Sequence, residues 1–183
     1  MHIETERLII RPFQAIDLDE NYNQIYGSAE VMRYLGDGKL RTREDAERSM
    51  NRFVEYGIEH GYTIWAVIDK ESQRFLGHCG LIQLRNEPET VEVAYAFGKP
   101  YWGKGFATES ARACLRYGFE VAKLDRIIGL TYPENKPSQH VLQKIGMQPQ
   151  GQTDKYYNLN FSLFDLTRDA YQPDDSFYRV HSP

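Results

Sequence analysis

The hydrophobic pattern along the chain changes period several times. From Glu6 to Phe13, ERLIIRPF alternates apolar and polar positions, predicting a strand that ends near Phe13, where Pro12 removes a backbone donor. LDENYNQIY follows an acidic start at Asp17 and Glu20 and predicts a short helix. Thr42 opens a longer one, in which Ala46, Met50, Phe53, Val54, Gly57 and Ile58 share a face with charges opposite. From Thr63 the period becomes two. TIWAVID, the polar turn KESQR and FLGHCGLIQL predict an antiparallel hairpin, and after the loop RNEPET the run VEVAYAF predicts a third strand.

Beyond it, a helix is expected from about Phe106 to Lys123, then a strand RIIGLTY, a helix PSQHVLQKIG, and a closing hairpin from GMQPQGQTDKYY and NLNFSLFDLTR. QPDDSFYRVHSP reads as part of a loosely held tail covering about residues 168–183. The order β-α-α-β-β-β-α-β-α-β-β predicts an α/β (α+β) domain spanning 1–183, a mixed sheet with helices on both faces.

A chain of 183 residues can bury a core without disulfides or metal. Its net charge of −4 argues against a nucleic-acid backbone binder, and no apolar run approaches membrane-spanning length. MHIETERLIIRPF has no signal-peptide pattern, so a cytoplasmic location is expected. Cys79 and Cys114 fall on different predicted elements with no C-x-x-C spacing, and read as two buried thiols. His2, His60, His78, His140 and His181 show no ligand spacing, so no metal is expected. His78 and Cys79 point to opposite faces of one strand, which disfavours a Cys–His nucleophile pair.

The stretch YWGKGFATES, Tyr101 to Ser110, carries the chemistry. Gly103 and Gly105 let backbone approach a ligand without Cβ interference, and a helix starts directly after them. A helix N-terminus offers unpaired N–H groups and a partial positive charge, a seat for phosphate. Lys104 adds charge there or points to solvent. No P-loop G-x-x-x-x-G-K-[ST] occurs. The dinucleotide fingerprint fails at Thr108, and Asp125 precedes the strand that a ribose-binding acid should follow.

At the same junction the pattern [QR]-x-x-G-x-[GA] is met by Gly105 and Ala107, with Trp102 in the first position. With TERLIIRPF before it and NKPSQHVLQKIGM after it, the chain resembles the GNAT superfamily of acyl-CoA-dependent N-acyltransferases. The wording of the motifs is similar to the RimJ/RimL-type branch of ribosomal-protein N-terminal acetyltransferases. The resemblance runs from about Ile3 to Thr167. It implies a GNAT fold with a mostly antiparallel central sheet, acetyl-CoA as cosubstrate, and a pyrophosphate held by the backbone of Trp102, Gly103, Lys104, Gly105, Phe106, Ala107 and Thr108. It also implies a bulge in VEVAYAF that frees a backbone N–H near Tyr95 to Phe97 for the thioester oxygen. Ala94 departs from a common glycine of the branch, and Met147 from a common phenylalanine.

Glu92 is the candidate general base, being on the strand beside the thioester; as an alternating strand residue it also fits a solvated outward position. The phenol that many GNAT enzymes use as acid falls here on Leu142. The resemblance implies Ser138 instead, as hydrogen-bond donor to the departing sulfur, and Asn135 as a ligand of the pantetheine arm. Both residues also suit a helix cap. The expected protein is an N-acetyltransferase acting by direct amine attack on the thioester, monomer or homodimer. Its acceptor would be a protein N-terminus or a small-molecule amine, with neither nucleic acid nor membrane as partner. A non-catalytic acyl-CoA sensor is the alternative. Glu87, Glu89 and Glu92 suggest an acidic acceptor approach.

Overall fold

The structure, a computed structural model, describes residues 1–84 and 87–181. Nine strands form one sheet: β1 (His2–Glu4), β2 (Leu8–Arg11), β3 (Ile64–Asp69), β4 (Phe75–Leu84), β5 (Glu87–Phe97), β6 (Arg126–Thr131), β7 (Gln148–Thr153), β8 (Phe161–Thr167) and β9 (Arg179–His181). Their spatial order is β7-β8-β6-β5-β4-β3-β2-β1-β9. All neighbours are antiparallel except β5 and β6.

The helices are α1 (Leu18–Asn21), continued by a π turn to Tyr26, then α2 (Ala29–Met32), α3 (Arg43–His60), α4 (Phe106–Glu120) and α5 (Lys136–Lys144). Strand alternation sends Ile64, Ala66 and Ile68 to one face, where Ala46, Met50 and Phe53 of α3 cover them, and Trp65 and Val67 to the other. On that second face, Ala111, Cys114 and Leu115 of α4 join the cluster. Cys79 and Cys114 are both free and buried there.

α3 starts where its sequence promises. Thr42 Oγ1 accepts from the Asp45 N–H at 3.1 Å and Asp45 Oδ2 accepts from the Thr42 N–H at 3.0 Å, a reciprocal cap. Ile58, expected on the buried face, is 82% exposed, because the period of about 3.6 residues has carried it about a third of a turn from Ala46.

Four other expectations need correction. The strand expected over Glu6–Phe13 is the four-residue β2, and a short strand β1 (His2–Glu4) that was not expected precedes it. The four-residue α2 is too short to leave a periodic signal. Of the expected loop RNEPET, Glu87–Thr90 belong to β5, while positions 85 and 86 lie outside the described residues. The tail is held: Arg179, Val180 and His181 pair with Glu4, Ile3 and His2, so β9 covers the β1 edge and satisfies backbone groups left open there.

Candidate active site

The sheet comes apart at one place. β5 pairs in parallel with β6 at Val91–Ile127 and Glu92–Ile128 and no further. Beyond Glu92, β5 stays paired with β4 as far as Phe97, and β6 stays paired with β8 as far as Thr131. A wedge therefore opens between Val93–Phe97 and Gly129–Thr131.

The expected bulge in VEVAYAF is absent, since β5 runs one-to-one with β4 from Val91–Gln83 to Phe97–Gly77. The splay does the same work. Gly98 N–H donates to Leu76 O at 3.0 Å, so by the alternation of an antiparallel ladder Tyr95 and Phe97 turn their backbone groups away from β4, into the wedge. The Phe97 carbonyl confirms that side, accepting from Trp102 Nε1 at 2.7 Å. Trp102 thus braces the strand end with its indole rather than standing free.

Gly103 and Gly105 sit at φ +73° and +83°, in left-handed backbone where a side chain is strained. A Cβ on Gly103 would meet nothing, so the loop faces open space, and one on Gly105 would come within 3.4 Å of Arg7 Nη2. α4 begins at Phe106 with Gly105 as its N-cap and, among the described residues, no side-chain cap bonded to its first-turn N–H groups. The N–H groups of Phe106, Ala107 and Thr108 therefore stay available to an anion, as in any uncapped first turn. The Lys104 ammonium lies 5.9 Å from the Tyr101 ring centroid.

A brace unseen in the sequence holds this loop. Arg7 Nη2 lies 2.6 Å from Glu109 Oε2, Arg7 Nη1 donates to Lys104 O at 3.0 Å, and its guanidinium covers the Phe106 ring at 4.5 Å. Thr5 Oγ1 and the Arg7 N–H both donate to Glu109 Oε1, at 2.6 and 2.9 Å. Glu109, in the first turn of α4, is thereby neutralised locally instead of opposing an incoming phosphate.

The wedge has polar groups on both faces of the sheet. On the α4/α5 face, the Tyr95 hydroxyl lies 2.9 Å from Ser138 Oγ and donates to Ser138 O at 3.1 Å. Burial raises the Tyr95 phenol well above its ordinary value, so it stays protonated. The helix cap is Asn135, whose Oδ1 accepts from the Ser138 N–H at 3.3 Å; Ser138 itself is not the cap, and its hydroxyl is engaged with Tyr95. The cap uses the Asn135 carbonyl and leaves its NH₂ group on the other side of the amide.

On the opposite face stands Glu92, half-buried rather than solvated. Its carboxyl accepts from the Leu130 N–H, a β6 amide beyond the end of parallel pairing, and from the Tyr157 hydroxyl. Desolvation outweighs both bonds and pushes its pKa up to about 8. Glu87, in contrast, is paired with Lys155 at 3.0 Å, which weakens the expected acidic approach. Tyr95, read from sequence only for its backbone, and the Thr5–Arg7–Glu109 brace are the parts that sequence reasoning missed. No local signal marks either.

The model of the acetyltransferase (GNAT) domain matches residues 7–148. The uncharacterized N-acetyltransferase YnaD of Bacillus subtilis is 36% identical over 151 residues, 82% of this chain and 85% of that protein. The crystal structure of a GNAT-family acetyltransferase from Bacillus anthracis superposes with a TM-score of 0.79 at 31% identity, covering 92% of this chain and 99% of that one. RimL, a ribosomal L7/L12 α-N-protein acetyltransferase solved with coenzyme A, shares the fold with a TM-score of 0.78 at 11% identity, over 93% of this chain and 100% of its own.

Proposed function

This chain belongs to the GNAT acetyltransferases, which are acyl-CoA-dependent enzymes, and from that premise we propose that it transfers the acetyl group of acetyl-CoA to a primary amine in the wedge between β5 and β6. The observation that carries the reading is the loss of β5–β6 pairing at Glu92, together with the uncapped start of α4, a helix that packs on β4 and β5.

Acetyl-CoA, when bound, supplies the activated acyl group. The residues fit it: two left-handed glycines at 103 and 105 and three first-turn amides with no side-chain cap suit a pyrophosphate, and the Asn135 amide suits the pantetheine arm. The Tyr95 and Phe97 N–H groups, preoriented by pairing with β4, receive the negative charge that develops on the carbonyl oxygen. One such donor contributes about 3 kcal/mol to an acyl transfer. Ser138 donates a hydrogen bond from Oγ to the leaving sulfur, with the Tyr95 hydroxyl 2.9 Å away holding that oxygen in place, and the departing thiolate takes its proton from solvent.

Glu92 removes the amine proton at its carboxyl, directly or through water. A base titrating at about 8 is matched to an α-amine, whose pKa is about 8, rather than to a lysine amine near 10.4. The likeness in fold to RimL adds weight to a protein or peptide N-terminus as acceptor. Because Glu92 and Ser138 stand on opposite faces of the sheet, the amine approaches from the α1–α3 side and attacks directly, with no covalent enzyme intermediate.

The test is release of free thiol from acetyl-CoA across peptides with free N-termini, N-blocked lysine peptides and small amines. Turnover with the free α-amines, well above that with blocked lysine peptides, is the expected result. Preference for the lysine peptides would overturn the acceptor assignment, and turnover with none would leave an acyl-CoA sensor.

A further inference from the structure

The edge of the sheet opposite the wedge in strand order carries a cluster that the proposed reaction does not use. His2 and Glu4 alternate onto one face of β1, and His181 on β9 is the direct cross-strand partner of His2. The two imidazoles stack with centroids 4.2 Å apart and planes 11° from parallel. His2 Nε2 and His181 Nε2 lie 3.5 and 3.3 Å from the same oxygen, Glu4 Oε1. One donor atom from each of the three residues falls within 4.8 Å of the others.

Two features distinguish this from a casual surface group. His181 Nε2 is sealed from solvent and makes no hydrogen bond to any described residue despite its distance from Glu4, so among the described residues a polar atom is left unsatisfied at the centre of the cluster. Lys70 Nζ sits 3.4 Å from the other carboxylate oxygen, Glu4 Oε2, and is anchored by donating to Thr5 O at 2.6 Å. The ammonium thereby orients Glu4 with Oε1 toward the histidines, as an outer partner orients a metal-ligating carboxylate.

We propose that His2, Glu4 and His181 form a binding site for a divalent transition metal, zinc by preference, that ties β9 to β1. Tetrahedral zinc with bonds of about 2.0–2.2 Å has ligand–ligand edges of about 3.3–3.5 Å, which the two histidine–carboxylate separations already match. Two imidazoles and one carboxylate suit zinc, nickel or cobalt and disfavour magnesium and calcium, which prefer all-oxygen shells. A fourth position falls to water. The site is invisible in residue spacing because its two halves stand at opposite ends of the sequence.

The experiment uses the full-length, untagged chain stripped of metal. Zinc alone should bind with one-to-one stoichiometry by calorimetry and raise the melting temperature, and cobalt should give the visible absorption of a tetrahedral ion. Hydrogen exchange at the amides of Arg179–His181 should slow on adding zinc. His181→Gln and His2→Gln should each weaken zinc binding by about tenfold or more and abolish the cobalt spectrum, while circular dichroism of the metal-free variants stays that of the wild type. Absence of zinc binding at micromolar metal, or equal affinity in the His181→Gln protein, would overturn the assignment. So would zinc binding with no change in β9 exchange, since the metal would then not hold that strand.

Discussion

Replacing Glu92 with glutamine keeps the shape of the side chain and removes its titration. With a pKa of about 8, the wild-type carboxyl is ionised in about a tenth of molecules at pH 7 and about nine tenths at pH 9. If the carboxylate takes the amine proton, kcat at saturating acetyl-CoA and acceptor should rise about tenfold over that interval, and the variant should lack this rise. The same group affects stability with a definite sign. Its folded pKa is raised above the ordinary 4.5, so the folded chain holds the proton and stability is lost as pH climbs from about 4.5 through about 8. The full gap corresponds to at most about 5 kcal/mol, and water reaching the half-buried carboxyl lowers that figure. Wild type should therefore lose melting temperature relative to Glu92→Gln between pH 5 and pH 9 (roughly the titration range). The assay is thiol release across pH, paired with thermal melts in the same buffers. A variant that kept the tenfold rise would refute Glu92 as base, and parallel melting curves would refute its raised pKa.

Gly105→Val forces a β-branched residue to φ +83°, a strain of roughly 1–3 kcal/mol, and crowds the loop; the chain should fold yet lose the rise in melting temperature that coenzyme A gives the wild type. Arg7→Ala leaves Glu109 facing the first turn of α4 without its guanidinium, and should weaken coenzyme A binding by about tenfold in a titration, with partial recovery in the Arg7→Ala/Glu109→Gln double variant. Ser138→Ala and Tyr95→Phe should each lower kcat with little change in the acetyl-CoA dissociation constant, and the double variant should be no worse than Ser138→Ala, because Tyr95 acts only through the Ser138 hydroxyl it holds in place.

Local chemistry was legible and pairing was not. The hairpin strand Phe75–Leu84, the Thr42 start of α3 and the glycine pair at 103 and 105 before α4 follow from alternation, capping and composition, all properties of neighbouring residues. Alternation in VEVAYAF gives a strand but says nothing about where β6 leaves it, so a bulge stood in for what is a splay. Arg7 and Glu109 carry no mutual signal across more than a hundred positions, and RVH in the tail is too short to announce a strand. The environment of Glu92 was open for the same reason: its partners Leu130 and Tyr157 are brought there by β6 and the loop before β8.

The central claim is that the β5–β6 wedge and the start of α4 hold the acyl donor. A crystal structure of the chain with coenzyme A tests it most directly. The account predicts the pyrophosphate on the backbone amides between Gly103 and Thr108, and the sulfur in the wedge between the Phe97 N–H and Ser138 Oγ. Phosphates bound away from α4, or β5 and β6 found paired beyond Glu92, would contradict it.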